Sequence, residues 1–262
     1  MNEKISLAGD LGSGKSTVSA ILKERLGAQT YSTGALVRDI ATRRGMTVGE
    51  LNTYMETHPE IDHEIDDGLK ALSRDPRRLI IDSRMAWHFT EGTFKIYLST
   101  DLKTSASRIL GAGRAEEQAA SLSDMMASIY ARRKSEEKRY LEQYGVNIKD
   151  LTNYDLVVDT TYATPEAIAE VIIDAFTQWQ ADRSYSAALV HPSRLMLPKE
   201  ADSSACDTVT AHECDGRFYV LCGADRVYKQ AACADFIRLH LVNDTCHYDE
   251  YIPYTGDHHA DT

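Results

Sequence analysis

The most defined chemistry in this sequence sits near its start. Gly9-Asp-Leu-Gly12-Ser13-Gly14-Lys15-Ser16 fits the pattern G-x-x-x-x-G-K-[ST]. Glycines let successive backbone N–H groups turn inward onto phosphate oxygens. A lysine at this spacing reaches the β- and γ-phosphates of a nucleotide, and the following hydroxyl is a ligand for Mg2+. The run therefore predicts a nucleoside triphosphate held by Gly9, Gly12, Ser13, Gly14, Lys15, Ser16 and Thr17, at the favourable end of a helix dipole.

A phosphate-binding loop does not name its acceptor, and the arginines speak to that. Phosphoryl transfer asks little covalent help of a protein; it asks that two anionic substrates be brought in line and their charge neutralised. Planar guanidinium forks suit that work. Arg38, Arg84, Arg108, Arg114, Arg132 and Arg139 are the candidates. Arg84 follows the apolar run Leu79-Ile-Ile81-Asp82, at the C-terminal end of a strand, where open α/β sheets bind ligands. Asp82 at the same edge is expected to join Ser16 in holding Mg2+. Arg132 and Arg139 stand seven apart, on one helix face, so both can point into a cleft. The charged run 132–139 around them is also the pattern of a solvated face. Gly111-Ala-Gly113-Arg114 would hinge a lid.

Alternating elements must carry these residues. Strands are expected at Lys4–Ala8, Gln29–Tyr31, Leu79–Ile81, Phe94–Leu98 and Leu156–Val158. Helices are expected at Thr17–Leu26, Ala35–Arg44, from Thr47 with a Thr-x-x-Glu capping box, from Pro59 to about Leu72, at Lys103–Leu110, at Asp124–Tyr144, and from Thr164-Pro165 to about Gln178. Strands alternating with helices predict an α/β fold, a parallel sheet with helices on both faces.

Three further segments resemble the nucleoside monophosphate kinases. Tyr31-Ser32-Thr33-Gly34-Ala-Leu-Val-Arg38 is similar to the element on which that family holds its monophosphate. Ile80-Ile-Asp82-Ser-Arg84 is similar to its acidic residue near the metal and its acceptor-phosphate arginine. Arg132-Arg-Lys-Ser-Glu136-Glu-Lys-Arg139-Tyr140, continuing through Tyr144-Gly145 to Thr164-Pro165-Glu166, resembles the short, archaeal-type cytidylate kinases over roughly residues 1–178. The resemblance implies ATP and Mg2+, and phosphoryl transfer to CMP or dCMP. It implies the acceptor on Ser32, Thr33, Gly34, Arg38 and Arg84, with Lys15, Arg84, Arg132 and Arg139 acting on the transferring group. Two departures stand out: Ser83 replaces the usual glycine between acid and arginine, and Arg133-Lys134 stands where acids are common. Two other readings stay open, a kinase of another small acceptor and a nucleotide sensor with little turnover.

Composition draws a boundary. The chain has 262 residues, 29 basic and 40 acidic, for a net charge of −11, which disfavours nucleic acid as a partner. With no long apolar run, no membrane span and no signal peptide are expected, and the chain reads as cytoplasmic. Nothing in it predicts an oligomeric state. All five cysteines lie from Cys206 onward. The expected organisation is a kinase-like domain over 1–180, a linker over 181–200 where no period is evident, and a small α+β unit over 201–262. In that unit a hairpin turns at Asp215-Gly216 and a helix follows near Arg226. Its Gly223…Arg226 turn weakly resembles the ParB/sulfiredoxin-like fold. The cysteines are expected to be free, since an odd count without a signal peptide fits a reducing compartment. His212, Cys214, Cys246 and His247 are weak zinc candidates, for no C-x-x-C pair occurs.

Overall fold

The computed structural model describes residues 3–112, 121–199, 206–231, 234–245 and 250–255. Strand β1 (Lys4–Gly9), buried throughout, runs into the glycine loop, and α1 (Lys15–Leu26) begins at its lysine. Then come β2 (Gln29–Ser32), α2 (Thr33–Arg44), α3 (Val48–Met55), α4 (Glu60–Leu72), β3 (Leu79–Asp82), the one-turn α5 (Ala86–Phe89) and β4 (Thr93–Ser99). After α6 (Leu102–Gly111) and the long α7 (Leu122–Tyr144) come β5 (Leu156–Asp159) and α8 (Pro165–Ala181). The remaining elements are β6 (Ala187–Val190), β7 (Leu195–Pro198), β8 (Val209–Cys214), β9 (Arg217–Cys222), α9 (Ala224–Ala231), β10 (Ile237–Leu241) and β11 (Tyr251–Pro253).

Local signals place these ends. The capping box forms: the Glu50 N–H donates to Thr47 Oγ1 at 3.1 Å and the Thr47 N–H donates to Glu50 Oε2 at 2.7 Å. Ser32 and Thr164 cap α2 and α8 through their side chains, with Pro165 in the first turn of α8.

Among the described residues all eleven strands form one sheet, in the order β11-β7-β9-β8-β10-β6-β5-β4-β1-β3-β2. From β2 to β6 the pairings are parallel, with β1 between β3 and β4. The chain order therefore reverses beside β1, which opens a crevice at the C-terminal ends of β1, β3 and β4. One apolar cluster packs α1 and α8 on the sheet through Val18, Leu22, Phe94, Ile172 and Phe176. Another joins α2–α4 to β3 through Ile40, Leu51, Ile65 and Ile81.

The boundary near residue 180 is corrected by this topology. The expected linker over 181–200 is overturned across its described part, 181–199: Ala187–Val190 adds to β5 in parallel, and Leu195–Pro198 forms a second strand. Both are short and almost wholly buried, so they show no alternation of apolar and polar residues to read. The strands after residue 200 continue the same sheet. A third cluster spans the supposed boundary, holding Ala8, Tyr97, Tyr154 and Val157 together with Leu195, Phe218, Val227 and Ile237.

The cysteine expectation also changes. Cys206 and Cys222 are joined as a disulfide with Cα atoms 6.2 Å apart, because the end of β9 returns beside the start of β8. Cys214 is free. No group of three or more His, Cys, Asp or Glu side chains suited to a metal occurs among the described residues, and Cys246 and His247 lie outside them. The Gly223 turn does open α9, yet Arg226 faces the Cys206 carbonyl at 2.5 Å and Asp207 at 3.9 Å rather than an open anion site. Gly113 and Arg114 of the expected hinge lie outside the described residues. No described helix is long and apolar enough to cross a membrane.

Candidate active site

A cavity of about 470 Å3 occupies the crevice. Its floor is the glycine loop, with Gly12, Ser13, Gly14, Lys15, Ser16 and Thr17 all lining it. Gly9 lies just beneath and takes φ +148°, where an added Cβ would run into the backbone of Leu98. Gly14 takes φ +84° as the residue before α1, with open space around its missing side chain. The Lys15 ammonium is curled back, donating to the carbonyls of Gly9 at 2.9 Å and Asp10 at 2.7 Å. Burial, with the Arg84 cation nearby, lowers its pKa to about 8, against the pull of Asp82, Asp10 and Glu136.

The loop rests on a residue that is an unspecified position in the pattern. Asp10 is 4% exposed, and its carboxylate accepts from Tyr97 Oη at 2.9 Å, the Thr100 N–H at 3.0 Å, Arg133 Nη2 at 2.9 Å and Lys149 Nζ at 2.9 Å. Burial alone would raise this carboxyl, but Lys149 and Arg133 hold it well below the usual carboxylate range. Arg133, one of the two departures from the family pattern, thus serves the loop.

Above the loop the arginines converge as expected, though not on solvent. Arg84, Arg132 and Arg139 all line the cavity. Glu136 is 4% exposed and bridges two of them, meeting Arg84 Nε at 2.5 Å and Arg132 Nε at 3.1 Å. Arg84 Nη1 also donates to the Gly9 carbonyl at 3.2 Å. Arg139 is 6% exposed, pairs with Asp62 at 3.2 Å and donates to the Asn52 carbonyl at 3.2 Å. The 132–139 run is therefore only partly a solvated face. Its i, i+4 and i+7 positions turn inward on α7, a contact with distant elements that local charge density cannot reveal. Arg108, from α6, spans the loop and the opposite wall: Nη1 reaches the Gly12 carbonyl at 3.4 Å, and Nη2 the Thr160 carbonyl at 2.7 Å.

The far arm of the cavity is framed by α2–α4. Ser32, Thr33, Gly34 and Arg38 line it together with Asp82 and Asp66. Ser32 Oγ lies 3.5 Å from Asp82 Oδ2, and Thr33 Oγ1 3.4 Å from the Asp82 carbonyl. Arg38 makes no ion pair among the described residues; its neighbour Asp39 pairs instead with Arg43 at 2.9 Å. Asn52 was not expected here. It is 7% exposed, and its Nδ2 has no hydrogen-bond partner among the described residues. Asp62 lines the same arm, with its pKa raised by burial to about 6, and the nearby Asp66 charge pushes the same way. Nothing in the sequence marks Asn52, Asp62 or Glu136 as site residues. Only the amphipathic spacing of α3 and α4, which turns Asn52 with Leu51 and Asp62 with Ile61 inward, could have flagged two of them.

Several known proteins are similar to this chain in sequence. A family profile described as an AAA domain matches residues 5–142. The cytidylate kinase of Thermoplasma volcanium is 34% identical over 188 residues, which cover 70% of this chain and 96% of that protein. The cytidylate kinase of Thermoplasma acidophilum is 37% identical over 173 residues, covering 64% of this chain and 89% of that protein. An S-adenosylmethionine-dependent nucleotide dehydratase of Lacinutrix mariniflava is 31% identical over 69% of this chain, but only 37% of that protein is covered. Among solved structures, the shikimate kinase of Bacteroides thetaiotaomicron is similar with a TM-score of 0.48 and 16% identity, over 67% of this chain and 98% of that one. The profile match over residues 5–142 takes in the loop and the acceptor arm alike, and nearly whole kinases match the chain at more than 30% identity. The chain therefore belongs to the family of the archaeal cytidylate kinases, which are nucleoside monophosphate kinases.

Proposed function

We propose that this enzyme transfers the γ-phosphoryl group of ATP to CMP or dCMP. The loop amides and Lys15 hold the triphosphate, and Arg38 and Arg84 hold the acceptor phosphate. An acceptor phosphate oxygen attacks the γ-phosphorus, the bond to the β–γ bridging oxygen breaks, and ADP and CDP leave. Arg84 and Arg132, with Arg139 beside them, supply the positive field for the charge that spreads over the transferring group. Glu136 keeps the first two in place before substrates arrive, so little reorganisation is left for the reaction itself.

Ser16 and Asp82 both line the cavity and present hard oxygen donors, which fits Mg2+. Bound there, the ion would neutralise β- and γ-phosphate charge. The other residues do not depend on it for their contacts.

The observation that carries the cytosine reading is the polar pair in the acceptor arm. Asn52 Nδ2 is a buried donor without a partner among the described residues, and Asp62 is a buried acid. Cytosine offers an amine donor and ring acceptors on one edge, complementary to such a pair. Uracil offers a ring N–H where cytosine has an acceptor, and would set donor against donor. Leaving buried polar groups unpaired is what gives large discrimination. Coupled measurement of ADP release with CMP, dCMP, UMP, AMP and GMP tests this. Turnover is expected with CMP and dCMP, falling at least about tenfold with UMP, and Lys15→Ala should abolish it. Equal turnover of every acceptor would refute the cytosine assignment, and none at all would refute the transfer.

A further inference from the structure

One wall of the cavity is the segment between β5 and α8, where Ala163 and Pro165 line the space beside Arg108. Its outer side is gripped by residues that follow α8. Arg194 is 5% exposed, and its Nη1 donates to Asp159 Oδ1 at 2.8 Å and to Thr161 Oγ1 at 2.7 Å. Its Nε donates to the Gly216 carbonyl at 3.1 Å, in the hairpin turn between β8 and β9. The His191 N–H donates to Asp159 Oδ2 at 3.2 Å, and the His191 ring lies 4.4 Å from that of Tyr162.

The inner side of the same segment holds Arg108. Its Nη2 donates to the carbonyls of Thr160 at 2.7 Å and Thr161 at 3.2 Å, while Nη1 reaches Thr160 Oγ1 at 3.3 Å and the Gly12 carbonyl at 3.4 Å. A continuous hydrogen-bonded path thus runs from the Gly216 turn through Arg194, Asp159 and Thr161 to Arg108 and the glycine loop. No residue of α2, α3 or α4 belongs to it. A guanidinium held by two carbonyls follows those carbonyls, so whatever fixes residues 159–161 fixes the angle at which Arg108 meets the loop.

We infer that Arg194 is a positioning residue for the donor nucleotide: the part of the chain beyond α8 sets Arg108 and the Ala163–Pro165 wall, and so tunes affinity for ATP and not for the acceptor. This rests on the reading of the loop as the ATP site. Lysine cannot take over the role, because one ammonium cannot reproduce a planar fork that serves Asp159, Thr161 and Gly216 together.

The test uses the full chain with Arg194→Lys, Arg194→Met and His191→Ala. ATP is varied at saturating CMP, then CMP at saturating ATP, with thermal melts alongside. The KM for ATP is expected to rise about tenfold in Arg194→Met, and by a smaller factor in the other two, with the KM for CMP within about twofold. A merely structural role would lower Tm and kcat through loss of active enzyme and leave both KM values unchanged. That result, or an equal rise in both KM values, overturns the inference. Should Arg194→Met not fold, Arg194→Lys and the charge-balanced Arg194→Met/Asp159→Asn variant decide it. If wild-type enzyme shows no CMP-dependent turnover, the function above fails, and ATP affinity by calorimetry on the same variants judges this inference separately.

Discussion

Lys15 and Asp62 are cavity residues whose ionisation burial brings within reach of ordinary buffers. Lys15 is lowered to about 8 by burial and the Arg84 charge, so near that pH half of the free protein carries it neutral. Triphosphate oxygens favour the ammonium form and raise its pKa again. Binding of ATP at pH 8 is therefore expected to take up about half a proton, falling toward zero by pH 6.5. Calorimetry in two buffers of different ionisation enthalpy measures this, and no uptake at pH 8 would separate Lys15 from the phosphates. Asp62 runs in the opposite sense. Its carboxyl is raised to about 6 by burial, so below that pH it is mostly protonated, and the hydrogen bond proposed between it and the cytosine amine is weakened. KM for CMP should climb as pH falls below 6 by more than it does in Asp62→Asn, in which no such group titrates. The same variant should narrow the preference for CMP over UMP by about tenfold.

At the scale of elements, α7 does most to assemble the cleft. Arg132, Glu136 and Arg139 fall on one face of it, and Glu136 ties that face to Arg84 beyond β3. Burial favours the neutral acid, but Arg84, Arg132 and Arg139 hold Glu136 ionised, with its pKa lowered. Removing its charge leaves cations facing one another in a poorly solvated cleft. Glu136→Gln is expected to lose about 1–3 kcal/mol of stability in urea denaturation, together with a fall in kcat/KM when ATP is varied. Unchanged kcat/KM in the folded variant would show that the arginines hold their places without it. The existence of α7 and its two arginines was legible from spacing and charge. The identity of their partners was not, because Arg84 and Glu136 are separated by more than fifty residues and meet only in the folded cleft.

For the whole molecule, the continuous sheet decides how far the chain can be divided. Leu195, Phe218, Val227 and Ile237 share one apolar cluster with Ala8, Tyr97 and Tyr154 beside the loop strand. A chain ending at residue 182 would bare that cluster and leave β5 as an unpaired edge. It is expected to aggregate or to melt at least about 10 °C lower than the full chain. A truncated protein with an unchanged Tm would restore an independent kinase unit. Phe218→Ala in the full chain should cost about 3–5 kcal/mol by the same packing argument.

The glycine loop, the alternation of strands and helices, the caps of α3 and α8 and the arginines around the cleft were all determined by sequence on its own. Each is a short-range matter: a φ angle only glycine accepts, a hydroxyl beside a free N–H, or an apolar repeat along one helix. Tertiary structure alone decided that Asp10 anchors the loop to Arg133 and Lys149, and that Asn52 and Asp62 face the acceptor arm. It alone placed β6 and β7 in the kinase sheet and brought Arg194 to Asp159. Those contacts join residues tens to more than a hundred positions apart. A buried charge is stable only beside its partner, and strand order is set by which faces must be covered. Neither condition leaves a mark on neighbouring residues in the chain.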